Sequence, residues 1–171
     1  TINTSFGSGV IIPGTGVFMN NEMDDFSVQP GVPNAFGLIG SEANSVAAGK
    51  RPLSSMSPTI ALKDGKPIIA LGAAGGPTII TQTAQNLIAM LDFGMSPKVA
   101  IGQPRLHHQW RPDLVRVEKT MDVKVRSALE RLGHRLSLTG SIGVSQIIAV
   151  EKDGAFVGAA DPRGIGTVGG Y

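Results

Sequence analysis

Residues 67–91 read PIIALGAAGGPTIITQTAQNLIAML and join an apolar run, a glycine-rich turn and a helical pattern in one continuous stretch. The run Pro67–Leu71 is short and apolar, which is typical of a buried strand. The turn Gly72–Pro77 follows, and Pro77 suits the first turn of a helix. From Ile80 onward, apolar residues recur at i, i+4, i+7, i+8 and i+11, and this spacing predicts a core-facing helix. Its predicted core face consists of Ile80, Ala84, Leu87, Ile88 and Leu91.

Hairpin signals surround this stretch on both sides. The dipeptide Asp64-Gly65 separates residues 59–63 from the apolar run, and Asp153-Gly154 separates residues 145–151 from 155–159. Asp-Gly between two strand-like segments is among the strongest short hairpin signals. A further hairpin is predicted across Pro13–Thr15.

Two more helices complete the pattern. Ser96-Pro97 begins a short helix that ends near Gly102, and Asp122 caps one that runs to Leu132 before Gly133. Strand hairpins flanking helices indicate a layered domain of sheets and helices.

Length and composition predict one compact domain over residues 1–171. The chain is 42% hydrophobic and contains 23 glycines, but only 16% of its residues are charged, against about 25% in an average protein. So few charges favour a protein with part of its surface covered by another chain. We therefore expect a partner.

Charge and cysteine content exclude several other classes of function. The net charge of +2 comes from scattered Lys and Arg, so nucleic-acid binding gains little support. The absence of Cys excludes disulfides and thiolate metal sites. No apolar run reaches the roughly 18 residues of a membrane span. The chain begins Thr1-Ile2-Asn3 without Met, so we expect that it is processed or that upstream sequence is missing.

An acidic cluster occupies residues 20–25, NNEMDD, directly after a predicted strand. A protonated amine is recognised by two or three converging carboxylate or amide oxygens, so the cluster predicts an ammonium site. A solvated turn is an equally good interpretation of these residues alone, and a Ca²⁺ site bound by oxygen ligands is a weaker one.

Two other loops carry groups suited to binding anions. Ser54 and Ser55 lie between Pro52 and Pro58, which stiffen the backbone, although most Ser-Pro loops only form turns. The Gly72–Pro77 turn exposes backbone N–H groups at a helix start, where a phosphate or an oxyanion is stabilised. It lacks the Gly-Lys-Ser/Thr ending of a nucleotide loop, and tight packing of a helix on a sheet explains it equally well.

The histidines and Thr1 are weaker candidates for catalysis. His107 and His108 are adjacent and would face opposite sides of a strand, so we expect no zinc site and instead a packed, hydrogen-bonded corner with Trp110. An N-terminal Thr can act as a nucleophile with its own amine as base, but residue 1 is equally well only the point where this sequence begins.

Taken in order, the motifs resemble the small subunit of γ-glutamyltransferases, also called γ-glutamyltranspeptidases. The resemblance runs across essentially all 171 residues and rests on the order and spacing of motifs that are weak alone. These are TINTSFGSG (1–9), NNEMDDFS (20–27), PGVPNAFGL (30–38), KRPLSSMSPT (50–59), Gly75 with Gly76, PRLHHQW (104–110) and ADPR (160–163).

The resemblance implies an α+β fold, the four-layer αββα sandwich of the N-terminal nucleophile hydrolases, completed by a large-subunit chain from the same self-cleaving precursor. It implies transfer or hydrolysis of the γ-glutamyl group of glutathione and related amides, with water or an amine as acceptor and no cofactor or metal. A periplasmic or secreted enzyme is expected. The family's nucleophile is the first Thr of a Thr-Thr-His type sequence, which is absent here.

The resemblance also assigns roles to individual residues. Thr1 would assist the nucleophile, Gly75 and Gly76 would form the oxyanion hole, and Asn3 would contact the α-carboxylate of the substrate. The α-amino group would be bound by Glu22 and Asp25, and the α-carboxylate by Ser54 and Ser55. Glu22 is one of two alternatives found at this position in the family, the other being Gln, and the carboxylate should hold an ammonium more strongly.

The segment from Pro30 to Gly40 matches the loop that covers the glutamyl pocket in many bacterial members. Phe36 stands where several of them carry Tyr, and Phe cannot donate a hydrogen bond, so closure would rely on apolar contact. Two alternatives remain open: a cephalosporin or glutaryl acylase on the same scaffold, and a non-catalytic fragment that binds an amino acid.

Overall fold

The computed structural model describes residues 2–4 and 6–170, which fall into two compact units, Thr1–Ser54 and Ser55–Tyr171. The first unit consists mostly of turns, with 3-10 helices at Glu22–Asp25 and Glu42–Asn44. An antiparallel bridge joins Ile11 to Phe18, which confirms the hairpin predicted across Pro13–Thr15. The single domain expected over residues 1–171 stays a prediction.

The second unit contains the regular elements. Its strands are β1 (Thr59–Lys63), β2 (Lys66–Ala74), β3 (Leu106–His107), β4 (Val115–Glu118), β5 (Leu136–Thr139), β6 (Val144–Val150) and β7 (Phe156–Ala160). Its helices are α1 (Thr78–Leu91), α2 (Pro97–Gly102) and α3 (Val123–Arg131).

A four-stranded antiparallel sheet with the order β1-β2-β6-β7 forms the centre of this unit. The hairpins predicted at Asp64-Gly65 and Asp153-Gly154 are confirmed as the β1–β2 and β6–β7 connections. Alternate residues of these strands face α1 and α2, as the two-residue period of a strand requires. The buried core on that face consists of Ile69, Leu71, Ile101, Ile147, Ala149 and Ala159.

The opposite face of the same sheet is apolar and accessible. Ile60, Ala70 and Ile148 lie side by side across three strands, and Ile60 and Ile148 are 65% and 50% exposed. A shallow cavity of about 390 Å³ lies on this face, between Pro58 and Ile148. We call this surface the open sheet face. An apolar surface of this kind usually marks an interaction site.

Helix α1 is where predicted, but the prediction of its core face is wrong. Ile80, Ile88 and Leu91 are 54%, 47% and 51% exposed, Ala84 is exposed too, and of the five residues only Leu87 packs against the core. The apolar spacing predicted the wrong face of α1, because the outward face of this helix is apolar while its inward face is largely polar. The buried residues of α1 are Thr78, Ile79, Gln82, Thr83, Asn86 and Ala89.

A smaller sheet, β3-β4-β5, completes the second unit. β4 and β5 are parallel, and α3 connects them. The predicted cap of α3 is confirmed, since Asp122 Oδ1 accepts a hydrogen bond from the N–H of Lys124 at 2.6 Å. Val115, Val117 and Met121 form the buried core.

Sheets and helices together confirm the α+β class. Among residues 2–4 and 6–170, every helix is too short or too polar to cross a lipid bilayer.

Candidate functional site

The acidic cluster forms a tight 3-10 turn that is tied to the start of the chain. The Nδ2 amide of Asn3 donates to Asp25 Oδ1 at 2.8 Å, and the Asn3 N–H donates to Asn21 Oδ1 at 3.0 Å. Asn21 also donates to Asp24 Oδ2 at 3.1 Å. The structure therefore brings together two of the residues singled out in the sequence, Asn3 and Asp25.

Glu22 carries an oxygen that is poised for a ligand. Its Oε1 atom is buried and accepts no hydrogen bond among the residues that the structure describes. Burial and then repulsion by Asp25 raise the pKa of the Glu22 carboxyl above its ordinary value. Both effects penalise the charged form, and a bound cation would relieve both. The turn therefore has the electrostatics of a cation site.

Asn44 holds this turn and was missed in the sequence. Its Nδ2 donates to the Asp25 carbonyl at 2.8 Å, and its Oδ1 accepts from the Leu53 N–H at 2.9 Å. One side chain thus fixes the backbone of Asp25 and the peptide between Pro52 and Leu53. A loop asparagine has no periodic signal that would have revealed this role.

The two serines lie at the boundary of the units, in a segment without regular structure. Ser54 ends the first unit and is exposed, whereas Ser55 begins the second and is half-buried. The Ser57 hydroxyl donates to the Ser55 carbonyl at 3.2 Å.

The loop around Phe36 is a turn held in place by hydrogen bonds. Asn34 Oδ1 accepts from the N–H groups of Phe36 and Leu38, both at 3.0 Å, and Pro33 pairs with Ile39 in a bridge. Phe36 itself is half-buried. A cavity of about 260 Å³ lies within this unit, between Asp24 and residues 27–35.

The glycine turn lies between β2 and α1 but is shorter than predicted, because residues 72–74 continue β2 and only residues 75–77 form the connection. Gly75 and Gly76 have φ values of +144° and +57°, which residues with a side chain rarely adopt. Thr78 Oγ1 donates to the Gly75 carbonyl at 2.8 Å, and the Thr78 N–H donates to the same oxygen at 3.2 Å. The turn therefore has a defined shape at the N-terminus of a 14-residue helix.

A buried cluster of ion pairs lies beneath this region and was not anticipated. Arg105 pairs with Asp161 at 2.6 Å, and Arg163 pairs with Glu118 at 2.6 Å and with Asp161 at 3.1 Å. Arg105, Glu118 and Asp161 are at most 2% exposed. We call these four residues the ion-pair cluster. Both arginines lie within motifs quoted above, PRLHHQW and ADPR, but nothing in their sequence indicates that they meet.

Hydrogen bonds keep the carboxylates of the ion-pair cluster charged. Burial alone would raise the pKa of Glu118, but hydrogen bonds from Arg163 and from the Arg105 and Ile142 N–H groups hold it below its ordinary value. Burial is likewise outweighed at Asp161, whose pKa is lowered by the N–H groups of Arg163 and Ser145 and by Arg105.

The histidines show no catalytic arrangement in the part of the chain that the structure describes. His107 is buried, with Nδ1 at 2.9 Å from Thr81 Oγ1 and Nε2 at 2.9 Å from Gln109 Oε1. Burial lowers the pKa of His107, so it is the neutral form that packs here. The expected corner with Trp110 is confirmed only in part. The Trp110 N–H donates to His108 Nδ1 at 3.2 Å, but Trp110 is 64% exposed and therefore not packed. Thr1 lies outside the described residues.

Comparison with known proteins gives a consistent result. The sequence model of a family described as Gamma-glutamyltranspeptidase matches residues 1–171. The chain is 47% identical over 165 residues to a glutathione hydrolase proenzyme of Escherichia coli, covering 96% of this chain and 28% of that protein. It is 43% identical over 170 residues to a glutathione hydrolase proenzyme of Pseudomonas aeruginosa, covering 97% of this chain and 30% of that protein. The chain thus spans less than a third of these relatives.

Solved structures agree with the sequence comparison. A crystal structure of the T380A mutant of Helicobacter pylori gamma-glutamyltranspeptidase superimposes with a TM-score of 0.91 at 43% identity. The match covers 96% of this chain and 90% of that one.

Proposed function

We propose that this chain, which belongs to the gamma-glutamyltranspeptidase family, is the γ-glutamyl-recognising part of an enzyme that transfers or hydrolyses the γ-glutamyl group of glutathione and related amides. The observation that carries the proposal is the turn Glu22–Asp25. There, a buried carboxyl oxygen without a hydrogen-bond partner among the described residues lies in the same turn as the carboxylate that Asn3 orients. A γ-glutamyl compound has the α-ammonium group that such a turn binds.

The ammonium is proposed to bind to Glu22 and Asp25 together. Asn3 holds Asp25 through one hydrogen of its amide, and an amide NH₂ group carries two. The second hydrogen can then donate to the α-carboxylate of the substrate. Asn3 would thus both orient Asp25 and contact the substrate. Ser54 and Ser55 are proposed to bind the same carboxylate through their hydroxyls.

We propose that acyl transfer proceeds through a covalent acyl-enzyme. A threonine outside these 171 residues attacks the γ-carbonyl carbon, with the Thr1 hydroxyl assisting, and the developing oxyanion accepts hydrogen bonds from the Gly75 and Gly76 N–H groups. The amine leaves with a proton, and water or an acceptor amine then releases the glutamyl group. Phe36 is proposed to cover the glutamyl group through apolar contact.

A large subunit from the same precursor is the proposed partner. The open sheet face supports this proposal, because Ile60, Ile148 and Phe156 are each at least 50% exposed on it. Covering such a face with a second sheet would remove apolar surface from water. A periplasmic or secreted location is proposed from the family resemblance, and cell fractionation would test it.

The acylase alternative is less well supported. A glutaryl amide lacks the α-ammonium group, so it would leave Glu22 and Asp25 without a ligand. Unpaired carboxylates in a partly buried turn are unfavourable. A non-catalytic binding fragment is the remaining alternative, and it predicts glutamate binding without turnover.

The proposal is tested by replacing Asp25 in the full-length protein that contains this chain. We expect Asp25→Ala to raise the KM for glutathione roughly 100-fold, about 3 kcal/mol, because the substrate ammonium loses a charged partner. Asp24→Ala is the matched control: Asp24 is an exposed carboxylate in the same turn, and its loss should change KM less than about threefold. An unchanged KM for Asp25→Ala would contradict the assignment of Asp25 to the ammonium site.

A further inference from the structure

Gln82 is a fully buried amide on α1 whose orientation is fixed by its neighbours. Its Oε1 accepts from Arg105 Nη1 at 3.1 Å and from the Ser145 hydroxyl at 2.8 Å. A guanidinium can only donate, so the atom that faces Arg105 must be the amide oxygen. The Nε2 group therefore faces the Ala74 carbonyl, to which it donates at 3.0 Å.

This hydrogen bond fixes the direction of an N–H group on the other side of the peptide. The Ala74 carbonyl belongs to the same planar unit as the Gly75 N–H, and in a trans peptide the two point in opposite directions. When Gln82 holds the oxygen in place, it also aims the Gly75 N–H away from the helix. Gly75 itself is exposed.

Thr78 acts on the next peptide in the same way. Its hydroxyl and its N–H both donate to the Gly75 carbonyl, at 2.8 and 3.2 Å. That carbonyl shares a peptide plane with the Gly76 N–H. Two successive peptides of the turn are thus each held by a side chain of the first two turns of α1.

The surroundings leave the Gln82 amide little room to move. Gly143, with φ +59°, packs so closely that a Cβ there would overlap Gln82 Nε2 and lie 2.7 Å from the Ala74 carbonyl. Arg105, which holds the other end of the amide, is itself held by Asp161 and by the Ile101 and Ile142 carbonyls. The ion-pair cluster therefore anchors Gln82.

We infer that Gln82 and Thr78 are positioning residues that aim the Gly75 and Gly76 N–H groups at the developing oxyanion. The inference rests on the oxyanion-hole role proposed above for the two glycines. Donors that are already oriented need no reorganisation when charge develops, which is the main source of their catalytic effect. Neither side chain needs to touch the substrate.

The first test replaces Gln82 by Glu in the full-length protein, with γ-glutamyl-p-nitroanilide as substrate. Glutamate keeps an acceptor for Arg105 and Ser145 but removes the donor to the Ala74 carbonyl. Loss of a whole oxyanion donor lowers kcat about 100- to 1000-fold, so a misaimed donor should lower kcat/KM about 10- to 100-fold. The Ki of L-glutamate as a competitive inhibitor should stay within about twofold, since product binding involves no oxyanion.

Gln85→Glu is the matched control for that variant. Gln85 lies one turn further along α1 and donates its amide to the Thr81 and Leu106 carbonyls, away from the glycine turn. It undergoes the same chemical change, so kcat/KM should remain near the wild-type value. Equal losses in Gln82→Glu and Gln85→Glu, or a matching rise in the Ki of L-glutamate, would show a merely structural role and overturn the inference.

A second pair of variants tests Thr78 without changing side-chain volume greatly. Thr78→Val removes the hydroxyl donor and should lower kcat/KM about 10-fold, whereas Thr78→Ser keeps the donor and should stay within about threefold of wild type. Equal activities of the two variants would overturn the inference, even where Gln82→Glu fails to fold. A wild-type protein without turnover would instead count against the proposed function itself.

Discussion

At the scale of single residues, Glu22 determines how the proposed site responds to pH. Its pKa is raised by burial and by Asp25, so it takes up a proton at a higher pH than an ordinary carboxyl group. Folding therefore favours the protonated form, and that contribution to stability is present at low pH and lost as pH rises through the folded pKa. Binding of an ammonium requires the opposite, charged form.

Glu22→Gln should therefore flatten the pH dependence of substrate binding. As pH falls toward the raised pKa of Glu22, the wild-type KM for γ-glutamyl-p-nitroanilide should rise because Glu22 becomes protonated. The glutamine variant should show a higher KM at neutral pH and a weaker rise in acid. Parallel KM profiles for the two proteins would show that Glu22 does not titrate in the site. Asp24→Asn, which changes an exposed carboxylate of the same turn, serves as control.

Single residues also show how far sequence reasoning reaches. The motif NNEMDD drew attention to the acidic cluster, because clustered carboxylates are apparent from the sequence alone. The family resemblance then singled out Glu22 and Asp25, and their role stays a prediction. Gln82 and Asn44 were missed, because a buried amide that holds a carbonyl has the same sequence signature as an amide on the surface. Only the partners, brought together by the fold, distinguish the two.

At the scale of elements, the ion-pair cluster joins segments that are far apart in the sequence. Glu118, at the end of β4, accepts from the Ile142 N–H before β6 and from Arg163 after β7. Arg163 also donates to the carbonyls of Ile101 and Gln103, at the end of α2. The cluster therefore fixes how the smaller sheet and α2 meet the four-stranded sheet.

Glu118→Gln should destabilise the protein by about 3 kcal/mol at neutral pH, because Arg163 loses one of its two carboxylate partners. Since folding lowers the pKa of Glu118, its contribution is present above the ordinary carboxyl value and is lost as pH falls through the folded value. The difference in free energy of unfolding between wild type and variant, measured with urea, should therefore become smaller in acid. A difference that does not change with pH would contradict this role of Glu118. Glu130→Gln, at an exposed position, is the control.

Elements were predicted well where local chemistry decides them. Both Asp-Gly hairpins and the cap of α3 at Asp122 follow from turn and capping preferences, which act over a few residues. The inward face of α1 was not predicted, because burial depends on what the helix packs against. Gln82 and Asn86 face inward because Arg105 and Ser145 supply partners from distant segments.

At the scale of the whole molecule, the fold expected from the family resemblance is confirmed. The likeness to a solved gamma-glutamyltranspeptidase, with a TM-score of 0.91, places the chain in the N-terminal nucleophile hydrolase fold. The four-layer arrangement with a large subunit stays a prediction, and the open sheet face is the surface that such a partner would cover. The low charged fraction of 16% already pointed to a covered surface.

This chain is proposed to supply γ-glutamyl recognition through an ammonium site. The most direct test of this proposal is the ratio of kcat/KM for γ-glutamyl-p-nitroanilide to that for glutaryl-p-nitroanilide, measured on the full-length protein that contains this chain. The two substrates differ only in the α-ammonium group, whose charged contacts with Glu22 and Asp25 should be worth about 3 kcal/mol. We expect the γ-glutamyl substrate to be preferred at least about 100-fold. Equal values for the two substrates would contradict the account.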